Sequence, residues 1–399
     1  MDIRSITLFV EPDTPTDALA QFVTAARSVF PYPVQTTRLA TTPFPNWLDR
    51  NSASDFVRQM AQAWQAIGID YLSLGPVRLD HADHWLALLP ELLAATDMLF
   101  ASVEIGDRNG RIVPDRCRQL ARIIKQVSQI QPNGFGNLYL TALANCAPGS
   151  PFFPVAYHGG GPVHFAVAVE SADLAVTAVQ TATTLTEARH NLIDAIETAA
   201  QAIGQATTPL AEQYGLTYSG IDFSLAPFPT DDKSLAAALE GLGLPHLGAP
   251  GSLFAAAFIT EAIGRANFPR CGFSGLMLPV LEDSVLARRA AEGVITVNDL
   301  LGYAAVCGVG LDTIPLPGEI SEASLAGILL DVAALAARLD KPLTARLMPL
   351  PGLQTGDPVS FDFPYFADSR VMAVPGTGLA GVLATAEPIV IDKITRAAW

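Results

Sequence analysis

Apolar runs rich in β-branched residues alternate with stretches whose apolar positions recur every three or four residues, almost from one end of the chain to the other. The first pattern predicts strands over residues 3–10, 33–40, 71–74, 98–105, 137–143, 163–170, 219–225, 274–281, 309–316 and 343–350. The second predicts helices, most clearly over 17–30, 53–67, 116–130 and 185–203. Ser54-Asp55, Thr184, Ser252 and Ser321-Glu322 stand where helix caps are needed. Strands separated by helices require crossover connections, so the pattern predicts an α/β fold with a largely parallel sheet of ten strands.

Within that alternation, residues 181–215 read as a long helical insertion. No linker divides the chain. The Pro/Gly-rich stretch 147–162 comes nearest and reads as a functional loop joining two halves, roughly 1–150 and 160–399, of one domain.

Strands buried on both faces tolerate a charge only where it is paired or used. Several predicted strands carry one or two: Glu104, Glu170, Asp222, Asp312 and Arg346, with Glu282 and Asp283 directly after 274–281 and Glu319 just past 309–316. Carboxylates at the carboxyl ends of parallel strands converge on one rim, where α/β barrels keep their chemistry. Asp222, Glu282, Asp283 and Asp312 are therefore expected to form an acidic site for acid–base work, with Asp222, Glu282 and Asp312 as candidate ligands for a divalent metal. Each acid taken alone could instead cap a helix, and Arg346 could simply neutralise a buried acid.

Two glycine loops add candidates. In Tyr157-His158-Gly159-Gly160-Gly161-Pro162-Val163-His164, the amides of Gly159, Gly160 and Gly161 could approach an anion, with His158 as a base or metal ligand. No G-x-S-x-G elbow accompanies it, which excludes the usual serine hydrolase arrangement. The loop 247–252 could hold an anion at a helix start but lacks the P-loop lysine. Cys271 lies beside Arg270, a neighbour that would favour a thiolate. Glu170 and Arg346 are assigned to ligand binding, Arg346 as a clamp on a carboxylate or phosphate.

Composition narrows the partners. Acids outnumber Lys and Arg 39 to 24, for a net charge of −15, which argues against nucleic acid and anionic membrane surfaces. No charge-free apolar run is long enough to span a bilayer. Cys117, Cys146, Cys271 and Cys307 lie far apart with no C-x-x-C pair, which fits a reducing, cytoplasmic setting. No dinucleotide fingerprint is present, so neither NAD nor FAD is expected. Only 16% of residues are charged against 50% hydrophobic, so part of the exterior is expected to be covered in a homo-oligomer. The expected ligand is a small molecule.

The ordered set Ile3–Val10, Phe152-Phe153-Pro154-Val155-Ala156-Tyr157-His158, Gly220–Pro227, Cys271-Gly272-Phe273-Ser274-Gly275, Pro279–Asp283 and Ala305–Gly318 resembles the family called domain of unknown function 711. That resemblance implies a ten-stranded α/β barrel like those of pyruvate formate-lyase and the large ribonucleotide reductase chain. It implies no activity. Glycyl-radical chemistry is not expected, because the nearest string to that motif, Arg370-Val371-Met372-Ala373-Val374, has Ala373 where the glycine belongs. The expectation is an enzyme acting on a small anionic metabolite by acid–base or metal-assisted chemistry of the lyase, hydrolase or isomerase type. The alternative is a non-catalytic binding or regulatory protein on the same fold.

Overall fold

The computed structural model describes residues 1–394; residues 395–399, the end of the span assigned above to one domain, lie outside the described residues. Thirteen strands and eleven α-helices follow one another along that stretch. The strands are β1 (Asp2–Val10), β2 (Thr37–Thr41), β3 (Tyr71–Val77), β4 (Leu99–Gly106), β5 (Arg111–Ile112), β6 (Leu140–Ala144), β7 (His164–Glu170), β8 (Thr217–Ala226), β9 (Gly310–Pro317), β10 (Leu343–Leu350), β11 (Pro358–Val359), β12 (Ser369–Arg370) and β13 (Ile389–Val390). The helices are α1 (Asp17–Ala26), α2 (Ala53–Ala66), α3 (Leu89–Ala95), α4 (Pro114–Val127), α5 (Ala172–Gln180), α6 (Leu185–Tyr214), α7 (Leu235–Gly241), α8 (Ser252–Arg265), α9 (Ser284–Ala291), α10 (Val297–Ala304) and α11 (Glu322–Leu339).

The long strands form one large, mostly parallel sheet in the order β8-β7-β1-β2-β3-β4-β6-β10-β9. Strands β1, β2, β3, β4 and β6 run parallel to one another, as do β7 with β8 and β9 with β10. The two sets meet antiparallel at two seams, β1 against β7 and β6 against β10. Burial on both faces explains the apolar strands: every residue of β10 is buried, and in β9 only Pro317 is not. Helices cover the sheet with single apolar faces. In α4, Cys117, Leu120, Ala121, Ile124 and Val127 are buried at helical spacing behind Pro114 in the first turn.

Nine of the ten expected strands are present; residues 274–281 are the exception. The stretch 270–281 makes only isolated bridges, Arg270 to Ile221 on β8 and Pro279 to Asp312 on β9. Gly272 and Ser274 have φ of 61° and 42°, values that interrupt a ladder. Pro279 has no N–H to donate. Gly275 lies so close to Gly308 that a Cβ would stand 2.5 Å from its Cα. The segment thus spans the two ends of the strand path without becoming a regular strand.

Helix α6 outruns its expected end at 203 and continues to Tyr214, with Pro209 inside it and Gly215 at φ 64° as its left-handed stop. Thr184 caps it by accepting from the Glu187 N–H, and Ser321 caps α11 in the same way through Ser324. Ser54 is no cap, since α2 already starts at Ala53. Between β6 and β7 the chain does not loop out into solvent. His158 N–H donates to Thr41 O at 2.9 Å, and the Ser73 and Thr7 hydroxyls donate to Ala156 O and Pro151 O. These contacts draw residues 150–158 against β1, β2 and β3, and with them two phenylalanines that line the cavity described next.

Candidate functional site

Arg346 on β10 is the hub of a buried ion-pair chain. Its Nε donates to Asp312 Oδ1 on β9, its Nη2 donates to Glu282 Oε1 at 2.8 Å, and its Nη1 reaches Leu138 O at 3.3 Å. The other oxygen of Glu282 accepts from Arg4 Nη2 on β1. Arg4 Nη1 in turn donates to Glu170 Oε2 at 3.3 Å, and Lys233 links Glu170 to Asp2. Glu282, Asp312, Glu170 and Arg346 are each 4% exposed or less. Their charges survive burial because each has an opposite partner at hydrogen-bond distance. Burial pushes the Asp312 carboxyl above its usual range while Arg346 draws it back. Asp312 Oδ2 is buried with no hydrogen-bond partner.

Four of the sequence-predicted residues, Glu170, Glu282, Asp312 and Arg346, thus come together. The chain borders a cavity of about 90 Å³. Three guanidiniums (Arg4, Arg38, Arg346) and seven aromatic rings (Tyr71, Phe100, Tyr139, Phe152, Phe153, Phe363, Tyr365) line it, together with Gln35 and Glu282. Arg38 on β2 differs from the other two. It forms no ion pair with a carboxylate among the described residues; its Nε donates to Thr36 Oγ1 at 2.9 Å, and its guanidinium lies over the rings of Phe153 (5.1 Å) and Tyr71 (5.7 Å). Burial, with the Arg4 charge nearby, pulls it down to about 10, so it remains a cation at neutral pH. Sequence reasoning missed Arg4, Arg38 and Tyr365. A charge inside a strand, the signal that singled out Arg346, is also present at Arg4 and Arg38.

The remaining candidates lie elsewhere. Asp283 is no part of an acidic site. Its carboxylate accepts from the N–H groups of Val285 and Leu286 at the start of α9, from those of Leu235 and Ala236 at the start of α7, and from the Ser234 hydroxyl. It ties two helix N-termini together. Asp283→Ala is expected to cost about 3 kcal/mol of stability and to leave ligand affinity unchanged, as read by urea unfolding beside ligand titration.

Asp222 is also structural in its contacts. It accepts from Phe273 N–H (2.9 Å), Ser274 N–H (3.0 Å) and the Ser224 hydroxyl, and so holds the turn 271–274 against β8. Burial raises its carboxyl above the usual range. Burial, then the Asp222 charge, pushes the Cys271 thiol well up. Arg270 gives no help to a thiolate, since it donates to Ile263 O, Gly264 O and Ala266 O at the end of α8 and stacks on Phe268 at 4.2 Å. Cys271 therefore lacks the electropositive setting of a nucleophile.

The expected metal group does not assemble. Among the described residues no three His, Cys, Asp or Glu side chains stand together as a metal-binding group. Asp222 is engaged with backbone amides, and guanidiniums occupy oxygens of both Glu282 and Asp312. These residues do not fit a divalent cation. In the glycine loop, Gly161 N–H already donates to the Glu11 carboxylate at 3.2 Å, while His158 Nε2 lies 3.1 Å from Gly161 O and 3.8 Å from Glu11. His158 is fully buried, and its Nδ1 has no partner. The Glu11 carboxylate thus holds the place at Gly161 that the sequence suggested for a bound anion. The loop 247–252 closes on itself through Ser252, which accepts from Gly248 and donates to Ala249 O. Glu104, raised by burial, accepts from Leu79 N–H and borders a separate open cleft of about 890 Å³. Glu319 is exposed.

Comparison with known proteins bears out the family resemblance read from the sequence. The chain belongs to the family described as "Uncharacterised ACR (DUF711)", which matches residues 1–362. It is 36% identical over 278 residues to a UPF0210 protein of Pyrobaculum arsenaticum, an alignment covering 67% of this chain and 61% of that protein. The chain thus spans less than two thirds of that relative's length. It is 32% identical over 362 residues to a UPF0210 protein of Lactiplantibacillus plantarum, covering 86% and 79% of the two chains. Among solved structures it is similar to an anaerobic ribonucleotide reductase at a TM-score of 0.36 and 10% identity, over 86% of this chain and 70% of that one. So distant a likeness carries no chemistry across. No helix among the described residues is long and apolar enough to cross a membrane.

Proposed function

We propose that the chamber between Arg4, Arg38 and Arg346 binds a small anionic metabolite, and that the protein is an enzyme of the lyase or isomerase kind acting on it. The observation that carries this reading is Arg38, a cation held against two aromatic rings with no carboxylate partner among the described residues. A half-buried charge without a carboxylate partner favours a ligand that supplies the opposite charge. Glu282 cannot do so fully, because its two oxygens are held by Arg4 and Arg346. A monoanion in the chamber would complete the balance. The same guanidiniums would stabilise negative charge developing on that ligand in a low-dielectric, aromatic-walled space.

The second reading is a non-catalytic binding protein. It draws support from how the acids are engaged: Glu170, Glu282 and Asp312 all accept from cations, and the one unpartnered oxygen of the three, Asp312 Oδ2, belongs to a residue outside the chamber lining, a poor position for a general base. Saturation-transfer NMR at low ionic strength, with small carboxylates and inorganic phosphate as probes, tests both readings. Saturable binding of one equivalent is expected, and absence of binding by every probe would overturn the anion site. In deuterated water, loss of the ligand C–H signal would mark the enzyme, and an unchanged spectrum of a bound ligand would mark the binding protein.

A further inference from the structure

The small volume of the chamber and the way it is roofed bear on which anions fit. Its roof is a hairpin built from the two-residue strands β11 and β12, which pair antiparallel. The hairpin is rooted at both ends: Gly318 N–H donates to Leu353 O at 3.0 Å, Ala367 N–H to Leu281 O at 2.7 Å, and Met372 N–H to Pro315 O at 2.9 Å. Between the roots, aromatic packing holds it down, with Phe363 5.1 Å from the ring of Phe135. Tyr365 hangs from this span into the chamber. Its ring lies 5.7 Å from Phe228 and 5.3 Å from Phe363, and the Arg4 guanidinium carbon is 5.9 Å from its centre. Tyr365 lies beyond residue 362, where the family match ends.

Size then decides. An apolar cavity of about 150 Å³ is enough to take up benzene. The chamber, at about 90 Å³, falls short of that and holds on the order of four non-hydrogen atoms. One cation, Arg38, is available for a carboxylate, and the facing rings of Tyr71 and Phe153 suit a short apolar or planar remainder. Phosphate, which carries between one and two negative charges at neutral pH, would bring more charge than the unpaired Arg38 balances.

Resting on the anion-site reading above, we propose that Tyr365 is a specificity-determining residue that limits the ligand to a carboxylate of two or three carbons. A ring-bearing acid would have to displace it.

Affinities of acetate, propanoate, benzoate and inorganic phosphate for the full chain and for Tyr365→Ala test this, with Tyr365→Leu as a second variant should the first fail to fold. The wild type is expected to bind propanoate at least tenfold more tightly than benzoate. Tyr365→Ala should raise benzoate affinity at least tenfold and change propanoate affinity less than threefold; Tyr365→Phe should behave as wild type. An unchanged benzoate-to-propanoate ratio in folded Tyr365→Ala or Tyr365→Leu overturns the proposal, as does wild-type protein that prefers benzoate or phosphate, while the anion site itself stands. Binding of none of the four probes to any variant overturns the anion site, and the size limit falls with it.

Discussion

Arg38→Met is expected to weaken binding of a small carboxylate about 100-fold while raising the unfolding temperature of the ligand-free protein. The two effects have one cause. In the folded chain the Arg38 guanidinium is partly removed from water, lies near the like charge of Arg4, and is compensated by ring faces and the Thr36 hydroxyl. That arrangement costs stability in the empty protein and returns it as affinity when an anion arrives. Methionine keeps most of the side-chain volume and contact with the rings but carries no charge. Calorimetric titration and thermal unfolding of the two proteins read both quantities. Unchanged affinity, or a variant less stable than wild type without ligand, would remove Arg38 from the site.

Arg346→Met should act in the opposite direction on stability. Asp312 and Glu282, 1% and 3% exposed, would lose their shared partner, and stripping one member from a buried ion pair costs about 3–5 kcal/mol. The loss should depend on pH. Burial already holds the Asp312 carboxyl above its usual range, with Arg346 opposing the rise. A folded-state pKa above the unfolded one means the native state binds more protons between the two values, so stability falls as pH rises through that window. Without Arg346 the opposing pull is gone, the folded value moves further up, and the window widens. The deficit of Arg346→Met relative to wild type in urea unfolding should therefore be smaller at about pH 5 than at about pH 8. An equal deficit at both, or a larger one in acid, would show that the buried acids do not depend on Arg346 in this way.

Much of this arrangement is legible in the sequence, and the rest is hidden for definite physical reasons. A lone charge in a strand buried on both faces is unfavourable unless paired, which is why Glu170, Asp312 and Arg346 stand out in apolar runs and why, with Glu282, they meet. Asp222 and Asp283 stand out by the same rule yet serve backbone amides. Their partners, Phe273 and Ser274 in one case and Leu235 and Ala236 in the other, lie 47 to 52 positions away, too far for local pattern to separate a cap from a catalytic acid. Arg4 and Arg38 carry the same signal as Arg346, a charge inside an apolar strand. Tyr365 had no such signal. It lies in an aromatic-rich segment after the last long strand, and only the fold shows that the segment turns back over the chamber. The missing strand at 274–281 failed for a local reason: its apolar run fits a strand, while the positive φ of Ser274 and the close approach of Gly275 to Gly308 do not.

The two antiparallel seams, β1 with β7 and β6 with β10, give the sheet no single polarity. At either end of the sheet, one set of strands is arriving while the other departs, so neither end can be labelled the working end from strand direction alone. Glu170, at the close of β7, therefore lies beside Asp2 at the opening of β1, whereas Glu104, near the close of β4, borders the separate open cleft. A survey of substitutions read as functional at one rim and merely stabilising at the other would misassign residues at both.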